Sequence, residues 1–383
     1  MIARHRRLHA GRTKQAGFDI IGCLIGILNM SSTSVQKFGL QAVAGEYAGA
    51  ETVLHFGSAA DELGALRHGC GVFDLGWRGK LVVSGEDRVR WLNGMVSNNT
   101  RDLRQDFGNY NFVLNAQGRI QGDLMAFQRG EFYVLESEAG EIATIQEFLA
   151  RYIIMDDVEL GDISGRLTSI GVAGPRAEEV LSGSGLMPGA AKPGQVLDGN
   201  WNGIGFSLVR DPIEVRNWYE LWLAPENVEA MWSQLVAGGA VPVGAAALEW
   251  QRMLLGLPRV GVDTGVRELP QETGQIYALH FTKGCYIGQE IVERIHSRGQ
   301  VHRQFTGFIV DGEVPARGSK VTAGGKEAGE ITSSAEIVVD GVKRVVALGY
   351  VRREAAANQD ESAGETVSVN GSPARISALP FQF

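Results

Sequence analysis

The chain has few cysteines, and their placement excludes two common ways of stabilising a small fold. Only three occur in 383 residues, Cys23, Cys70 and Cys285, and no two of them form a C-x-x-C pair. A disulfide framework needs several cysteines that pair, and a structural zinc site needs grouped ligands, so three widely separated cysteines indicate neither. This usage is typical of a reducing compartment, and we expect a cytoplasmic protein.

Long apolar runs are also absent. No segment reaches the roughly 18 to 20 apolar residues that a helix needs to cross a bilayer, so we expect no membrane attachment. Apolar residues make up 44% and charged residues 21% of the chain, which is typical of globular proteins. A chain of 383 residues exceeds what one hydrophobic core usually serves, which predicts two or three packed units.

Excess positive charge is confined to the first 44 residues. That segment carries six Lys and Arg against Asp19, a net charge of +5, and the whole chain carries −8, which leaves −13 for residues 45–383. An acidic body repels phosphate backbones, so we expect no direct stable nucleic-acid binding. A local basic pocket for a small anion stays compatible with this charge.

The basic segment at 1–44 admits two interpretations. Its arginines precede a short apolar run, Ile20–Met30, as in a targeting segment, and a transit peptide would place the protein in the mitochondrial matrix. No clear small-residue cleavage site follows. We favour an untargeted, disordered extension, or a translation start at Met30.

Strand and helix patterns alternate through the middle of the chain. Helical spacing of apolar residues predicts helices at about 61–68 and Ala245–Leu255, and turn residues predict a hairpin or meander at 110–135. Phe206–Val209 and Tyr219–Leu223 are predicted to be paired strands. These patterns indicate an α+β fold.

The character of the chain changes beyond about Gln304. Short β-rich runs separated by Gly, Asp and Pro predict a small C-terminal β-barrel or sandwich. We therefore predict three parts: the extension at 1–44, an α+β region at 45–303 and a C-terminal β domain at 304–383.

The segment Lys283-Gly-Cys-Tyr-Ile-Gly-Gln-Glu290, hereafter the octapeptide, combines a thiol, a cation, two glycines, an amide and a carboxylate. A nearby ammonium favours thiolate over thiol, so we predict Cys285 and Lys283 as catalytic residues. The alternative is that Cys285 is a small buried apolar residue.

With its surroundings, the octapeptide resembles the YgfZ proteins, which are relatives of the aminomethyltransferase (T-protein) of the glycine cleavage system. The likeness covers about residues 50–355. The other stretches that carry it are Gly71-Val-Phe-Asp74, Ser84-Gly-Glu-Asp87, Asn93-Gly-Met-Val-Ser-Asn98, Gly256-Leu-Pro258, Leu269-Pro-Gln-Glu272, Arg294, Arg298-Gly299 and Arg303.

This resemblance implies a ring of two α+β modules around a folate pocket, a C-terminal β-barrel, and tetrahydrofolate or another reduced folate as cofactor. The T-protein stretch that brings an Asp to the folate contains two adjacent acids. Here Gly122 replaces the first and Asp123 retains the second. A carboxylate is acceptor-only and pairs with the N–H groups of a pterin. The alternative for Asp123 is an exposed hairpin residue.

The resemblance assigns further residues to the pocket. Glu220 matches a carboxylate that grips the pterin, and Arg252 matches an Arg that faces the folate, although an ordinary ion pair explains Arg252 as well. Phe127 replaces an aromatic residue that packs on the ligand, and core packing explains it equally. The predicted cofactor-binding set also includes Tyr286, Gln289 and Glu290, and no metal ligand is predicted.

A cluster of cations follows the octapeptide. Guanidinium groups pair bidentately with carboxylates, so the cluster predicts a site for the polyglutamate tail of a folate, with a solvated linker as the alternative. Its members are Arg294, His296, Arg298, His302 and Arg303.

Two departures from the T-proteins bear on function. Trp77 and Arg78 stand where a T-protein carries Ser-His-Met, and Gly122 removes one acid. They favour the role that the YgfZ resemblance implies, an accessory protein in assembly or repair of iron–sulfur clusters, including those of radical enzymes that modify tRNA. The alternatives are a folate-dependent aminomethyltransferase and a scaffold with a vestigial pocket.

The expected partners are a folate and iron–sulfur client enzymes or assembly factors, and the expected state is a monomer. Whether the protein turns over a substrate as an enzyme stays open.

Overall fold

The structure is a computed structural model that describes residues 42–357 and 367–383. The predicted extension at 1–44 lies outside these ranges except for its last three residues, and the first strand begins within it, at Val43. In the described ranges, no helix is both long enough and apolar enough to span a bilayer.

Strands and helices alternate along most of the described chain. The strands are β1 (Val43–Tyr47), β2 (Ala50–His55), β3 (Gly71–Asp74), β4 (Arg78–Ser84), β5 (Phe107–Leu114), β6 (Ile120–Gln128), β7 (Tyr133–Glu138), β8 (Glu159–Asp162), β9 (Thr168–Ala173), β10 (Val196–Trp201), β11 (Ile204–Arg210), β12 (Trp218–Leu223), β13 (Val241–Pro242), β14 (Arg303–Val310), β15 (Lys320–Ala323), β16 (Lys326–Val339), β17 (Val342–Arg352), β18 (Val367–Val369) and β19 (Ser372–Ser377). The α-helices are α1 (Ala59–His68), α2 (Arg88–Met95), α3 (Ala139–Ala150), α4 (Ala177–Gly183), α5 (Val228–Ala237), α6 (Ala245–Leu255), α7 (Gln289–Arg298) and α8 (Arg353–Ala357).

A five-stranded antiparallel sheet, in the order β5-β6-β7-β4-β8, forms the first module. Its β6 residues alternate between two buried clusters, as strand geometry requires. Leu124 packs with Ile145 of α3, whereas Met125 and Phe127 belong to the cluster on the opposite face. That opposite cluster also contains Tyr286 of the octapeptide.

Strands β5 and β6 are connected by a tight turn that a side chain stabilises. The side-chain oxygen of Asn115 accepts hydrogen bonds from the backbone N–H groups of Gln117 and Arg119, at 3.0 and 2.9 Å. Gly118 adopts a φ of +69°, which favours glycine. The hairpin predicted at 110–135 is confirmed.

A six-stranded sheet, in the order β10-β11-β12-β9-β3-β13, forms the second module. Only the β13–β3 pair is parallel among its described pairings. Val180 of α4 and Met231 of α5 belong to the buried cluster on one face. On the other face, Phe73 clusters with Leu63 of α1 and Leu248 of α6.

The C-terminal strands close into a six-stranded barrel in the order β14-β17-β16-β15-β18-β19. Ile337 of β16 and Leu348 of β17 join the cluster of α1 and α6, so the barrel packs directly on the second module. Gly256 ends α6 at a φ of +69°, and a Cβ there would lie 2.6 Å from a side-chain atom of Leu379.

The predicted α+β fold followed by a β-barrel is confirmed. The helix predicted at 61–68 lies in α1, and α6 has the predicted bounds. Strands β11 and β12 pair antiparallel, as expected. The domain boundary at 303/304 stays a prediction; α7 ends at Arg298 and β14 begins at Arg303.

Candidate functional site

A cavity, hereafter the central cavity, lies between the β1–β2 pair, both modules and α6, and holds about 630 Å³ of empty space that includes open solvent. The aromatic side chains of Tyr47, Trp77 and Trp218 form part of its wall, and the first two meet edge to face at 5.1 Å. Aromatic walls with a few polar groups are typical of small-molecule sites. The polar residues that line it are Arg78, Asp123, Glu138, Arg216, Gln251, Arg252 and Arg259.

Asp123 of β6 presents its carboxylate to the central cavity. Its Oδ2 accepts a hydrogen bond from the Tyr110 hydroxyl at 2.6 Å. Burial raises the pKa of Tyr110 well above its usual value, so the phenol keeps its proton and remains the donor. Within residues 42–357 and 367–383, Asp123 forms no salt bridge, which leaves acceptor capacity for a ligand.

The arginines that line the central cavity are each paired with a carboxylate. Their charges are compensated inside the protein, and Glu138 is likewise compensated by its arginine. Asp123 is therefore the one acid of the lining, among described residues, without a cationic partner. The pairs are Arg78 with Glu136 at 3.2 Å, Arg216 with Asp211 at 3.2 Å, Arg252 with Asp263 at 2.7 Å and Glu249 at 2.6 Å, and Arg259 with Glu138 at 2.8 Å.

Gly122 faces away from the central cavity. A Cβ built on it would lie 3.1 Å from the Ile145 side chain of α3, while its neighbour Asp123 lines the cavity. Because strand residues alternate between faces, an acid at position 122 would point toward α3 in this fold. The absence of an acid at position 122 therefore removes no group from the lining of the central cavity.

Glu220 of β12 lies behind the cavity wall and is only 4% exposed. Its Oε2 accepts a hydrogen bond from the Trp222 indole at 3.1 Å. Burial, and then the charge of Glu136, raise the pKa of Glu220 to about 8, so its carboxyl holds a proton near neutral pH. Glu220 does not line the cavity, and a direct contact between it and a ligand stays a prediction.

Glu136 and Lys80 complete a buried charge cluster next to Glu220. The Lys80 ammonium lies 3.6 Å from Glu136 and donates to the Ser169 hydroxyl at 2.6 Å. Lys80 and Arg78 together hold the pKa of Glu136 below its usual value against the effect of burial. The cluster thus keeps Glu136 charged and Glu220 protonated.

Arg252 of α6 joins several parts of the molecule at the cavity. Besides its two carboxylate partners, it donates to the carbonyl of Leu257 at 2.6 Å and to the Ser333 hydroxyl of the barrel at 3.1 Å. Its guanidinium is therefore largely engaged within the protein. A role of Arg252 toward a ligand stays a prediction.

Phe127 packs in the core rather than against the cavity. It is 1% exposed, meets Trp222 edge to face at 5.0 Å, and does not line the cavity. The core-packing alternative explains this residue.

The octapeptide residues do not line the central cavity. Cys285 is exposed on the loop before α7, so the alternative of a buried thiol is wrong. Lys283 is 5% exposed and donates to the carbonyls of Val96 and Asn98, at 2.7 and 2.5 Å. Burial, aided by the charge of Arg101, lowers the pKa of Lys283 to about 7. A partly neutral amine stabilises a thiolate weakly, so activation of Cys285 by Lys283 stays a prediction.

The remaining octapeptide residues occupy different environments. Tyr286 is buried, with the Lys283 ammonium 4.9 Å from its ring centre, and its hydroxyl has no hydrogen-bond partner in the described part of the chain. Gln289 is half-buried and Glu290 exposed at the start of α7. Their assignment to a ligand stays a prediction.

A continuous chain of hydrogen bonds connects the central cavity with the octapeptide. Neighbouring members are joined by bonds of 2.5 to 3.4 Å, partly through backbone carbonyls. In order, they are Asp123, Tyr110, Gln275, Tyr277, Asn98 and Lys283.

Sequence reasoning missed several lining residues. Trp77 and Arg78 were noted only as departures from the T-proteins, yet both line the cavity. Trp218 stands two positions before Glu220 on β12, so the two side chains share one face of the strand. That spacing could have predicted Trp218 from Glu220. Tyr47, Arg216 and Arg259 carry no local signal, since distant contacts bring them to the cavity.

Two family models match the chain. Residues 34–283, more than half of it, match the model described as the GCVT N-terminal domain. Residues 301–380 match the CAF17, C-terminal beta-barrel domain.

Known proteins resemble the chain over most of its length. An aminomethyltransferase of Streptomyces coelicolor is 27% identical, over 92% of this chain and 99% of that protein. An aminomethyltransferase of Thermus thermophilus is 28% identical, over 88% of this chain and 94% of that protein. The crystal structure of the glycine cleavage system aminomethyltransferase T from Bartonella henselae shares the fold, with a TM-score of 0.77 and 21% identity over 89% of this chain and 94% of that one.

Proposed function

Since the chain belongs to the GCVT N-terminal domain family and also carries a barrel of the CAF17 C-terminal type, we propose that its central cavity binds a reduced folate such as tetrahydrofolate. The observation that carries this proposal is the Asp123 carboxylate, which lacks a cationic partner among the described residues and lies near aromatic walls. A pterin has N–H donors on one edge and flat ring faces, which suit an acceptor-only carboxylate and aromatic side chains.

The residues present fit this cofactor. Asp123 would hold the donor edge, with Tyr110 fixing the carboxylate through its 2.6 Å hydrogen bond. Tyr47, Trp77 and Trp218 would exclude water from the ring. A bound reduced folate supplies a carrier for one-carbon groups, and the paired arginines supply a rigid wall around it.

Replacement of Asp123 by Asn tests the proposal. The substitution keeps the shape of the side chain and removes the charge that accepts the pterin donors. A hydrogen bond to a charged group contributes about 1.5 to 3 kcal/mol, so we expect tetrahydrofolate affinity to fall roughly tenfold or more. Calorimetric titration measures it, and the tryptophans in the wall offer a fluorescence readout.

Asp61→Asn is the matched control, because Asp61 is exposed on α1 and does not line the central cavity. It should bind as the wild type does. Absence of tetrahydrofolate binding in the wild type, or equal affinity of wild type and Asp123→Asn, would contradict the proposal.

We further propose that the folate-bound protein assists the assembly or repair of iron–sulfur clusters in other enzymes. Support comes from the likeness of the octapeptide to the YgfZ proteins and from the exposure of Cys285, which leaves its thiol accessible to a partner. A single thiolate does not hold a cluster that needs several ligands, so the cluster in this proposal remains bound to the client.

Replacement of Cys285 by Ser separates this role from folate binding. We expect the variant to bind tetrahydrofolate normally, because Cys285 does not line the cavity, and to lose support of iron–sulfur enzyme activity in a strain that lacks the gene. Thr282→Ala, a change at an exposed position of the same loop, should retain both properties. Full complementation by Cys285→Ser would refute the role of the thiol.

Aminomethyl transfer is the second candidate function, and the names of the matching relatives favour it. Because Gly122 faces α3, the missing acid no longer argues against transfer chemistry. The relatives at 27 and 28% identity are named aminomethyltransferases. Formation of methylenetetrahydrofolate from a methylamine-loaded lipoyl carrier would establish this function in place of the accessory role.

A further inference from the structure

Two amide side chains and two tyrosines form a closed circuit of hydrogen bonds between β5 and the segment before the octapeptide. The Gln275 amide donates to both phenol oxygens, that of Tyr277 at 3.0 Å and that of Tyr110 at 3.4 Å. The Asn98 amide donates to both backbone carbonyls, that of Tyr277 at 2.9 Å and that of Tyr110 at 3.0 Å. Each tyrosine is thus held at its hydroxyl and at its carbonyl. These four residues are hereafter the amide circuit.

The amide circuit is anchored at two places. At one, the Tyr110 hydroxyl donates to Asp123, the acid that lines the central cavity. At the other, the backbone carbonyl of Asn98 accepts a hydrogen bond from the Lys283 ammonium of the octapeptide, at 2.5 Å. The rings of Tyr110 and Tyr277 also pack together, with their centres 5.7 Å apart. The amide circuit therefore joins the cavity acid to the octapeptide.

Gln275 links the two hydroxyls of the amide circuit. It is 4% exposed, and its side-chain oxygen has no hydrogen-bond partner in the described part of the chain, so its two donor bonds orient the amide. The backbone of Tyr110 is fixed by the pairing of β5 with β6, so a displacement of the Tyr110 hydroxyl is transmitted through Gln275. Loss of a partner is costly for a buried polar group, and bonds in such a network strengthen one another.

The members of the amide circuit do not line the central cavity, so they act on a ligand there through Asp123. The Asp123 carboxylate accepts from the Tyr110 hydroxyl and has no cationic partner among the described residues. N–H donors of a bound ligand fix this carboxylate and, through it, the Tyr110 hydroxyl. We propose, on the basis of the folate site proposed above, that a ligand in the central cavity orders the octapeptide through the amide circuit. A partner protein at Cys285 then meets an ordered octapeptide when the ligand is bound and a looser one without it.

The test follows amide hydrogen exchange of the octapeptide in the full chain, with and without saturating tetrahydrofolate. The backbone N–H of Ile287 donates to the Gly94 carbonyl of α2 at 3.1 Å, so its exchange reports whether the octapeptide is held against α2. Coupling between two sites typically changes an equilibrium about fivefold or more. We therefore expect exchange at Ile287 to slow about fivefold when the wild type binds the ligand.

Two variants interrupt the amide circuit outside the cavity lining. Gln275→Met keeps the length of the side chain and removes its donors, so we expect the slowing to disappear at saturating ligand. Tyr277→Phe removes only a hydroxyl, from a residue that is 46% exposed, and should at least halve the slowing. Gln234→Met is the matched control, because this half-buried amide donates to the Ser184 carbonyl in the second module, and it should keep the full effect.

A calorimetric titration of each protein with tetrahydrofolate keeps the two proposals apart. Unchanged exchange in a wild type that binds the ligand overturns the coupling and leaves the folate site intact. Slowing of wild-type size in either circuit variant does the same. Absence of ligand binding to the wild type overturns the folate site itself.

Discussion

Glu136 and Glu220 are both buried near the cavity wall, and only one of them is charged at neutral pH. Lys80 and Arg78 lie within 3.6 Å of Glu136 and stabilise its negative charge. Glu220 lacks such an ion pair in the described chain and has the Trp222 indole as a donor. Glu220 is therefore the protonated member, and the two glutamates together carry one negative charge in the interior.

Replacement of Glu220 by Gln should change how stability depends on pH. The pKa of Glu220 is raised from 4.5 to about 8, so between these values the folded state holds a proton that the unfolded state has lost. The free energy of unfolding must then fall as pH rises, by up to about 1.4 kcal/mol per pH unit from this group. Gln cannot titrate, and the variant should lack this contribution in denaturant unfolding measured from pH 5 to 8.

Other groups add their own pH dependence, so the difference between variant and wild type is the informative quantity. The pKa of Lys283 is lowered from 10.5 to about 7, so its unfavourable contribution to folding is relieved as pH rises above 7, and the free energy of unfolding changes with the opposite sign. Glu226→Gln, at an exposed position, should reproduce the wild-type curve. Parallel curves for wild type and Glu220→Gln would rule out a retained proton.

At this scale, sequence reasoning found residues whose role depends on local pattern. Asp123 was predicted from the resemblance of its stretch to the T-protein stretch with two acids, and the structure places it in the cavity lining. Arg78 and Arg259 were missed as site residues because their positions depend on pairing with Glu136 and Glu138, far away in the chain. The sequence alone does not give the orientation of Gly122, because pairing with β5 and β7 sets the register of β6.

Among the elements, the octapeptide and the β5–β6 turn pack closely against each other. Gly288 adopts a φ of +85° just before α7, and a Cβ there would lie 2.7 Å from the Asn115 carbonyl. A Cβ built on Gly118 of the turn would lie 2.8 Å from the Cβ of Ile291 in α7. The glycines at these two positions therefore allow the octapeptide and the turn to pack directly against each other.

Replacement of Gly288 by Ala should destabilise the fold. Ala at a positive φ is strained, and its methyl group meets backbone that cannot move aside, so we expect a loss of about 1 to 3 kcal/mol in the free energy of unfolding. Urea denaturation measures the change. Gly284→Ala, in the same octapeptide but with open space around its Cβ, should lie within about 0.5 kcal/mol of wild type. Equal effects of the two substitutions would show that Gly288 is not constrained.

Elements with strong periodicity or clear turn residues were predictable. In helix α6 and in the paired strands β11 and β12, the apolar residues recur at the spacing of the buried positions. Strand β10 and the pair β1–β2 were not predicted, because polar residues and glycine interrupt their alternation. Tertiary pairing, rather than local preference, forms these strands.

At the scale of the whole molecule, the barrel is joined to the second module by both apolar and polar contacts. Asp263 accepts hydrogen bonds from Thr332 and Ser333 of β16, at 2.5 and 2.6 Å, and pairs with Arg252 of α6. The sequence predicted a barrel, but its packing against α1 and α6 depends on contacts between residues far apart in the chain. Such contacts leave no periodic pattern in the sequence.

The central cavity takes its wall from residues between Tyr47 and Val260, contributed by separate sheets and by α6. A partly folded chain therefore has no such cavity, and a ligand that binds there stabilises only the complete fold. At a hundred times its dissociation constant, a ligand adds about 2.7 kcal/mol to the free energy of unfolding. Proteolysis in cells acts on unfolded chains, so the abundance of this protein should rise with the supply of any ligand that binds in this cavity.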